Sequence, residues 1–161
     1  MTCMTAVRTQ IVFDASDPHT LAAFWAEATG YVDEEIDVFV RRILETGMAT
    51  KEDTYDAGGS LRWADARSLR HPDDDVDVRG VGTDRRILFL AVPEKKTAKN
   101  RCHIDLLVGE DKRLAEVERL VGLGATLLYE IEEHGMRHTT LADPREEPLD
   151  SQLVRTNSLQ R

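Results

Sequence analysis

The stretch RCHIDL places three polar residues, Arg101, His103 and Asp105, at alternate positions among apolar neighbours. In an extended strand alternate residues share one face. Three polar side chains on one face of an apolar strand are costly if buried without partners, so they either bond one another or line a cleft. Lining a cleft, His103 can serve as a general base, with Asp105 fixing its tautomer and Arg101 touching the ligand. The competing structural reading is an Arg101–Asp105 ion pair beside a packed His103. Cys102 is next to His103, but alternation sends the two to opposite faces, so it reads as a small buried hydrophobe and not as a nucleophile. Gln10 in QIVFDA and His138 in MRHTTLA are further polar groups in strand-like settings and further ligand-binding candidates. His138 also fits a half-exposed strand position, and His134 stands roughly 13 Å from it along an extended chain. Trp63 and Tyr55 are candidates for an aromatic pocket wall suited to a planar ligand.

Two charged clusters need weighing. Asp73, Asp74, Asp75 and Asp77 suggest a calcium loop, but Val78 stands where such a loop requires glycine. A solvated turn over His71 to Asp84 is the better reading. Lys95, Lys96, Lys99 and Arg101 are either an anion clamp at a cleft mouth or a solvated connection.

These residues must be positioned by regular elements. Arg8 to Ala15 reads as a strand. Asp17 is a good N-cap and Pro18 suits the first helical position. Leu21, Phe24, Trp25 and Ala28 then form one helical face that Gly30 terminates. A second amphipathic helix, Asp33 to Thr46, carries Ile36, Phe39, Val40, Ile43 and Leu44 and closes at Gly47. Gly58-Gly59 marks a hairpin turn between two short strands, the second running from Ser60 to Arg67. Strands follow at Arg85 to Val92 and Asn100 to Val108. A helix over Asp111 to Leu123 presents Leu114, Val117 and Val121. Strands at Thr126 to Glu132, Met136 to Ala142 and Leu149 to Val154 complete the pattern, with turns at His134-Gly135 and Asp143-Pro144.

The order strand, helix, three strands occurs twice. A constant offset of 93 places Gln10 on His103, Ile11 on Ile104, Leu21 on Leu114, Phe24 on Val117 and Ala28 on Val121. One such unit leaves a sheet face open and sheet edges unpaired. Two units side by side would bring Gln10 and His103 to equivalent places around a cleft.

The stretches IVFDASDPHTLAAFWAEATGY, VPEKKTAKNRCHIDLLVG, AEVERLVGLGAT and TLADP resemble the glyoxalase-like branch of the vicinal oxygen chelate superfamily. That superfamily includes glyoxalase I, extradiol dioxygenases and bleomycin-resistance proteins, and more narrowly the chain resembles actinobacterial glyoxalase-like proteins. The resemblance runs from about Arg8 to Pro144. It implies an α+β fold of paired βαβββ modules, about 8–93 and 100–154, in one domain. The modules would form a curved, mostly antiparallel mixed sheet around a central cleft, with the second helix as an addition to the first module. In metal-dependent members four ligands come from equivalent strands, and Gln10 and His103 occupy the two first-strand places. The other two are glutamates on the last strand of each module. RRILFLAVP offers no carboxylate on either face. Where the family reads DPEGNEF this chain reads DPREEPLD, with Pro148 at the glutamate's place. Using Glu146 or Glu147 instead needs a shifted register, and an odd shift reverses side-chain facing.

The chain has 161 residues and a formal charge of -9, enough length for a single buried core and the wrong sign for a phosphate backbone or an anionic membrane. No apolar run is long enough to span a bilayer. Cys3 and Cys102 form no disulfide or zinc pattern, so a reducing, cytoplasmic setting is the default expectation. The expected ligand is a small organic molecule, bound or converted without a resident cofactor. The rivals are a divalent metal on Gln10 and His103 serving a lyase, isomerase or dioxygenase, and antibiotic sequestration. A monomer and a homodimer both accommodate the two modules.

Overall fold

A computed structural model of the chain describes residues 7–94, 103–144 and 153–157. The chain divides into two compact units, with the principal boundary after Pro93.

The first unit opens with β1 (Gln10–Ala15) and α1 (Pro18–Thr29). The Asp17 carboxylate accepts from the backbone N–H groups of His19 (3.0 Å) and Thr20 (3.1 Å), satisfying donors that a helix start leaves bare. At the other end Gly30 adopts a left-handed φ of 73° and its N–H donates to the Ala26 carbonyl. The helix buries Leu21, Phe24, Trp25 and Ala28, as the spacing predicts. Trp25 stacks on Phe13 with centroids 6.0 Å apart, and Phe13 meets Phe89 at 5.6 Å. One face of the sheet, with Phe13, Ala15, Leu69, Ile87 and Phe89, is thereby sealed against α1.

That sheet contains β1, β6 (Arg86–Ala91), β5 (Ala66–Arg70) and β2 (Val32–Asp33), in this spatial order. β1 and β6 are parallel, and the remaining pairs are antiparallel. Between β2 and β5 the chain inserts α2 (Asp37–Glu45), a 3₁₀ turn, and the hairpin β3 (Thr54–Asp56) and β4 (Leu61–Trp63). Asp37 joins helix to hairpin: its carboxylate accepts from the Leu61 N–H (2.7 Å) and from Arg41 Nε (2.9 Å). The hairpin turns at Gly58-Gly59, both at positive φ, the conformation that favours glycine there.

Two local expectations are corrected, and one strand is added that the sequence reading missed. Ser60 to Arg67 is not one strand; a turn at Ala64-Asp65 separates β4 from β5, and the Asp65 carbonyl accepts from the Ala91 N–H. β2 is only two residues long, too short to show alternation, and escapes pattern reading. α2 begins at Asp37, later than expected, and only Val40 of its apolar set is fully buried.

The second unit holds β7 (His103–Leu107), α3 (Glu110–Gly122), β8 (Thr126–Glu133), β9 (Met136–Ala142) and β10 (Leu153–Asn157). Its sheet order, β7-β10-β9-β8, reproduces β1-β6-β5-β2, including the parallel pair of first and last strands. His134 (φ 53°) and Gly135 (φ 75°) make the tight β8–β9 turn, as two-residue hairpins require. The last strand is described over Leu153–Asn157 and so runs past the expected end at Val154, while the expected start, 149–152, lies outside the described residues.

The face of α3 also differs from expectation. Leu114 and Val121 are 61% and 44% exposed, while Arg113, Val117 and Leu120 are buried. The latter set is spaced i, i+4, i+7, an equally regular stripe. It prevails because the Arg113 guanidinium donates to Glu130 Oε1 (3.1 Å) and Thr139 Oγ1 (2.5 Å), while its aliphatic stem packs as an apolar group. The fold-level prediction concerns the first helix: Asp17→Ala should cost about 1 kcal/mol, lowering the melting midpoint by roughly 2–4 °C in a calorimetric scan.

Candidate functional site

In the first unit, the sheet face turned away from α1 carries Gln10, Val12 and Asp14 from β1, Arg86, Leu88 and Leu90 from β6, and Ser68 and Arg70 from β5. The assignment follows from alternation, given that Phe13, Phe89 and Leu69 point to the helix side. Register sets Gln10 beside Arg86, and Arg86 beside Arg70. The Arg86 guanidinium donates through Nη1 to Gln10 Oε1. Its Nε donates to Glu34 Oε1 and its Nη2 to Glu34 Oε2 (2.7 Å), a two-pronged ion pair. Ser68 Oγ (2.6 Å) and the Gly82 N–H (2.7 Å) also donate to the Glu34 carboxylate. The Glu34 side chain is 1% exposed and that of Arg86 17%. Sequence reading missed Glu34 because it lies just beyond a two-residue strand, outside any periodic pattern.

A second ion-pair set holds the insertion. Asp33 accepts from Arg67 Nε (2.7 Å) and Nη2 (2.9 Å), and from Arg62 Nη2 (3.1 Å) on the hairpin. Burial alone would raise the Asp33 pKa, but the Arg67 and then Arg62 hydrogen bonds and charges outweigh it and lower it below 3.8. Trp63 belongs to this insertion and not to the four-stranded sheet. Its ring meets Phe39 of α2 edge-on at 6.5 Å. Trp63 is half-buried there. Tyr55 lies over His19, with centroids 4.3 Å apart.

In the second unit, Arg113 of α3 reaches Thr139, so the alternate residues of β9, His138, Thr140 and Ala142, face away from the helix. Register carries that face across the sheet. β10 sets Leu153 between His103 and Ala142, and Arg155 between Asp105 and Thr140. His103 and Asp105 therefore share a face with His138. They do not converge on it: His138 aligns through Asn157 with Leu107, which puts it two strands across and four residues along from His103, roughly 16 Å away. His103 and His138 are half-buried and Asp105 is exposed. Arg101, Cys102, Lys95, Lys96 and Lys99 lie outside the described residues, as do Glu146, Glu147 and Pro148.

The acidic loop is organised by arginines. Asp74 accepts from Arg85 Nη2 (2.5 Å) and Asp77 from Arg79 Nη2 (2.6 Å). These pairings hold both carboxyls below their ordinary range. A cavity of about 460 Å³ beside the loop is lined by Asp73, Asp74, Asp75 and Asp84 together with Arg8.

The first unit does not fit a divalent cation at Gln10. Its amide oxygen, the coordinating atom such a site would use, already accepts from a guanidinium, and β6 supplies no carboxylate. Among the described residues no three His, Cys, Asp or Glu side chains are grouped to hold a metal ion. Nor is any helix among them long and apolar enough to cross a membrane.

A family model described as a glyoxalase-like domain matches residues 10–150. Similar solved structures include a glyoxalase/bleomycin resistance protein/dioxygenase family enzyme from Burkholderia phytofirmans PsJN, 15% identical, with 94% of this chain and 97% of that chain covered and a TM-score of 0.57. A variant of the fosfomycin resistance protein FosX from Listeria monocytogenes, complexed with Mn(II) and 1S,2S-dihydroxypropylphosphonic acid, is 12% identical over 98% and 93% of the two chains, with a TM-score of 0.57. A glyoxalase-related enzyme from Fulvimarina pelagi is 14% identical over 97% and 89%, with a TM-score of 0.55. At these identities the likeness is one of fold. No curated protein matches.

Two predictions follow from the ion pairs. Arg86→Met strands a buried carboxylate and should cost about 3–5 kcal/mol in urea unfolding; adding Glu34→Gln should restore part of that loss, since the charge left behind is removed. The lowered Asp33 pKa means that its pairing stabilises the fold above about pH 4 and that this contribution is lost as the pH falls through the depressed value. In Asp33→Asn the acid limb of stability against pH should accordingly flatten, with lower stability at neutral pH.

Proposed function

Because the chain belongs to the glyoxalase-like domain family, we propose that it binds a small organic molecule on the strand faces turned away from its helices, without a resident divalent metal. One observation carries the metal-free part: Gln10, at the first-strand ligand place, is bonded by Arg86, and β6 has no carboxylate to complete a cation site. Two guanidinium groups, Arg86 and Arg70, stand in register against the single Glu34 carboxylate. The local balance is positive, and a divalent cation brought to Gln10 would meet it as a repulsion.

What these residues can do instead is recognise and orient. Arg86 has five N–H donors, of which three serve Glu34 and Gln10. Within the same reading, any proton transfer falls to His103 as general base, with Asp105 two residues along the same face to set its orientation. FosX from Listeria monocytogenes, a relative in fold, is complexed with a small phosphonic acid, which is consistent with a ligand of this size.

The test uses protein treated with a chelator. A thermal-shift screen of small metabolites and antibiotics should yield ligands that raise the midpoint without added metal, and nickel, zinc, manganese or iron(II) alone should not raise it. A midpoint that rises only with metal, or binding that chelation abolishes, would favour a metal-dependent lyase, isomerase or dioxygenase. Turnover of any ligand found separates conversion from sequestration. His103→Ala should abolish turnover and leave the affinity unchanged; unaltered turnover would remove the catalytic role.

A further inference from the structure

We propose that Arg86 is an anchor for organic acids, and that the ligand of the first unit is a carboxylate or phosphonate with an apolar body seated along Val12, Leu88 and Leu90. This deepens the proposed function and rests on it, since it names the ligand class for the same face.

The guanidinium is preorganised. Glu34 fixes it through Nε and Nη2, and Gln10 fixes Nη1. Those three bonds leave two of its five N–H donors uncommitted, one on each terminal nitrogen. Paired terminal N–H groups match the two oxygens of a carboxylate or phosphonate. Glu34 does not cancel the attraction, because a second guanidinium, that of Arg70, is its neighbour. Arg70 occupies the next strand in register, and Nη1 donates to the carbonyls of His71 (3.2 Å), Pro72 (3.1 Å) and Asp74 (3.2 Å). Its Nε is buried without a hydrogen-bond partner, so its charge is held close to the face and is not matched by a carboxylate.

The neighbouring surface is apolar. Val12, one alternate position along from Gln10, is 44% exposed. Register places Leu88 directly beside it, and Leu90 follows on the same face. A charged anchor continued by an aliphatic strip suits an organic acid better than a bare inorganic anion, because burial of apolar ligand surface adds to the ion pair.

The experiment is isothermal titration of the chelated full chain with phenylphosphonate and benzoate, against neutral benzamide and inorganic phosphate. At least one acid should bind, at least tenfold more tightly than benzamide and than phosphate. Arg86→Lys, which keeps a charge against Glu34, should weaken that binding at least tenfold because the two-pronged geometry is lost. Arg86→Met is unsuited to the assay because it strands the buried Glu34 carboxylate; the unmutated protein supplies a second readout. On adding phenylphosphonate, the Arg86 side-chain N–H resonances should shift with the same saturation curve. Equal binding of benzamide, or an undisturbed Arg86 signal at saturation, would overturn the anion anchor while leaving metal-free ligand binding intact. Failure of both acids to bind at tens of millimolar would overturn it too. Acid binding that appears only with added manganese would instead overturn the metal-free reading on which it rests.

Discussion

A single buried carboxylate ties the first unit together. Removing an ionised group from water costs several kcal/mol unless every lone pair finds a donor, and Glu34 finds four: two from Arg86, one from Ser68 and one from the Gly82 backbone. Those donors come from β6, β5 and the loop before β6, while Glu34 itself follows β2. The carboxylate thus ties the loop before β6 to strands that are already laddered from β2 through β5 to β6. The loop must come very close to supply its N–H. A Cβ at Gly82 would lie 2.7 Å from Arg70 Cβ and 3.2 Å from Glu34 Oε1, and one at Gly80 would lie 2.1 Å from the Glu35 carbonyl oxygen. Glycine at both positions is a steric requirement of that approach.

The same ion pair sets which donors remain on the sheet face turned away from α1. Orienting Arg86 through Nε and Nη2 leaves Nη1 to Gln10 and points the remaining donors away from Glu34. A guanidinium so held cannot swing aside to free Gln10 without stranding the carboxylate. The second unit buries a charge of the opposite sign against its helix: the side chain of Arg113 is 4% exposed, its Nη1 donates to Glu130 and Thr139, and its Nε is buried without a hydrogen-bond partner. The Glu130 carboxyl is held below its ordinary range by Arg113 first and Thr139 second. Glu34 is thus paired on the face away from the helix, and Arg113 on the face toward it.

Much of the fold was legible because its signals are local. The Asp17-Pro18 start of α1, its Gly30 stop, the glycine hairpin and the His134-Gly135 turn all rest on chemistry within a few residues. The α+β class was readable for the same reason, and the family match over residues 10–150 agrees with it. The failures have equally specific causes. Two stripes compete on α3, and the choice between Leu114 and Arg113 depends on Glu130 and Thr139, which lie well beyond the helix in sequence. His103, Asp105 and His138 were identified as polar strand residues. Their spread over one face could be recovered only from the β7–β10–β9 register. Glu34 had no signal at all: it is one acid among thirty Asp and Glu residues, distinguished only by what surrounds it.

The central claim is that a fixed guanidinium, and not a metal ion, is the cation that Gln10 faces. Side-chain amide spectra of isotopically labelled protein titrated with Mn²⁺ test this directly, since a paramagnetic ion broadens any group it coordinates. The account predicts that the Gln10 amide signal stays sharp through the titration. Selective loss of that signal at substoichiometric Mn²⁺ would contradict it.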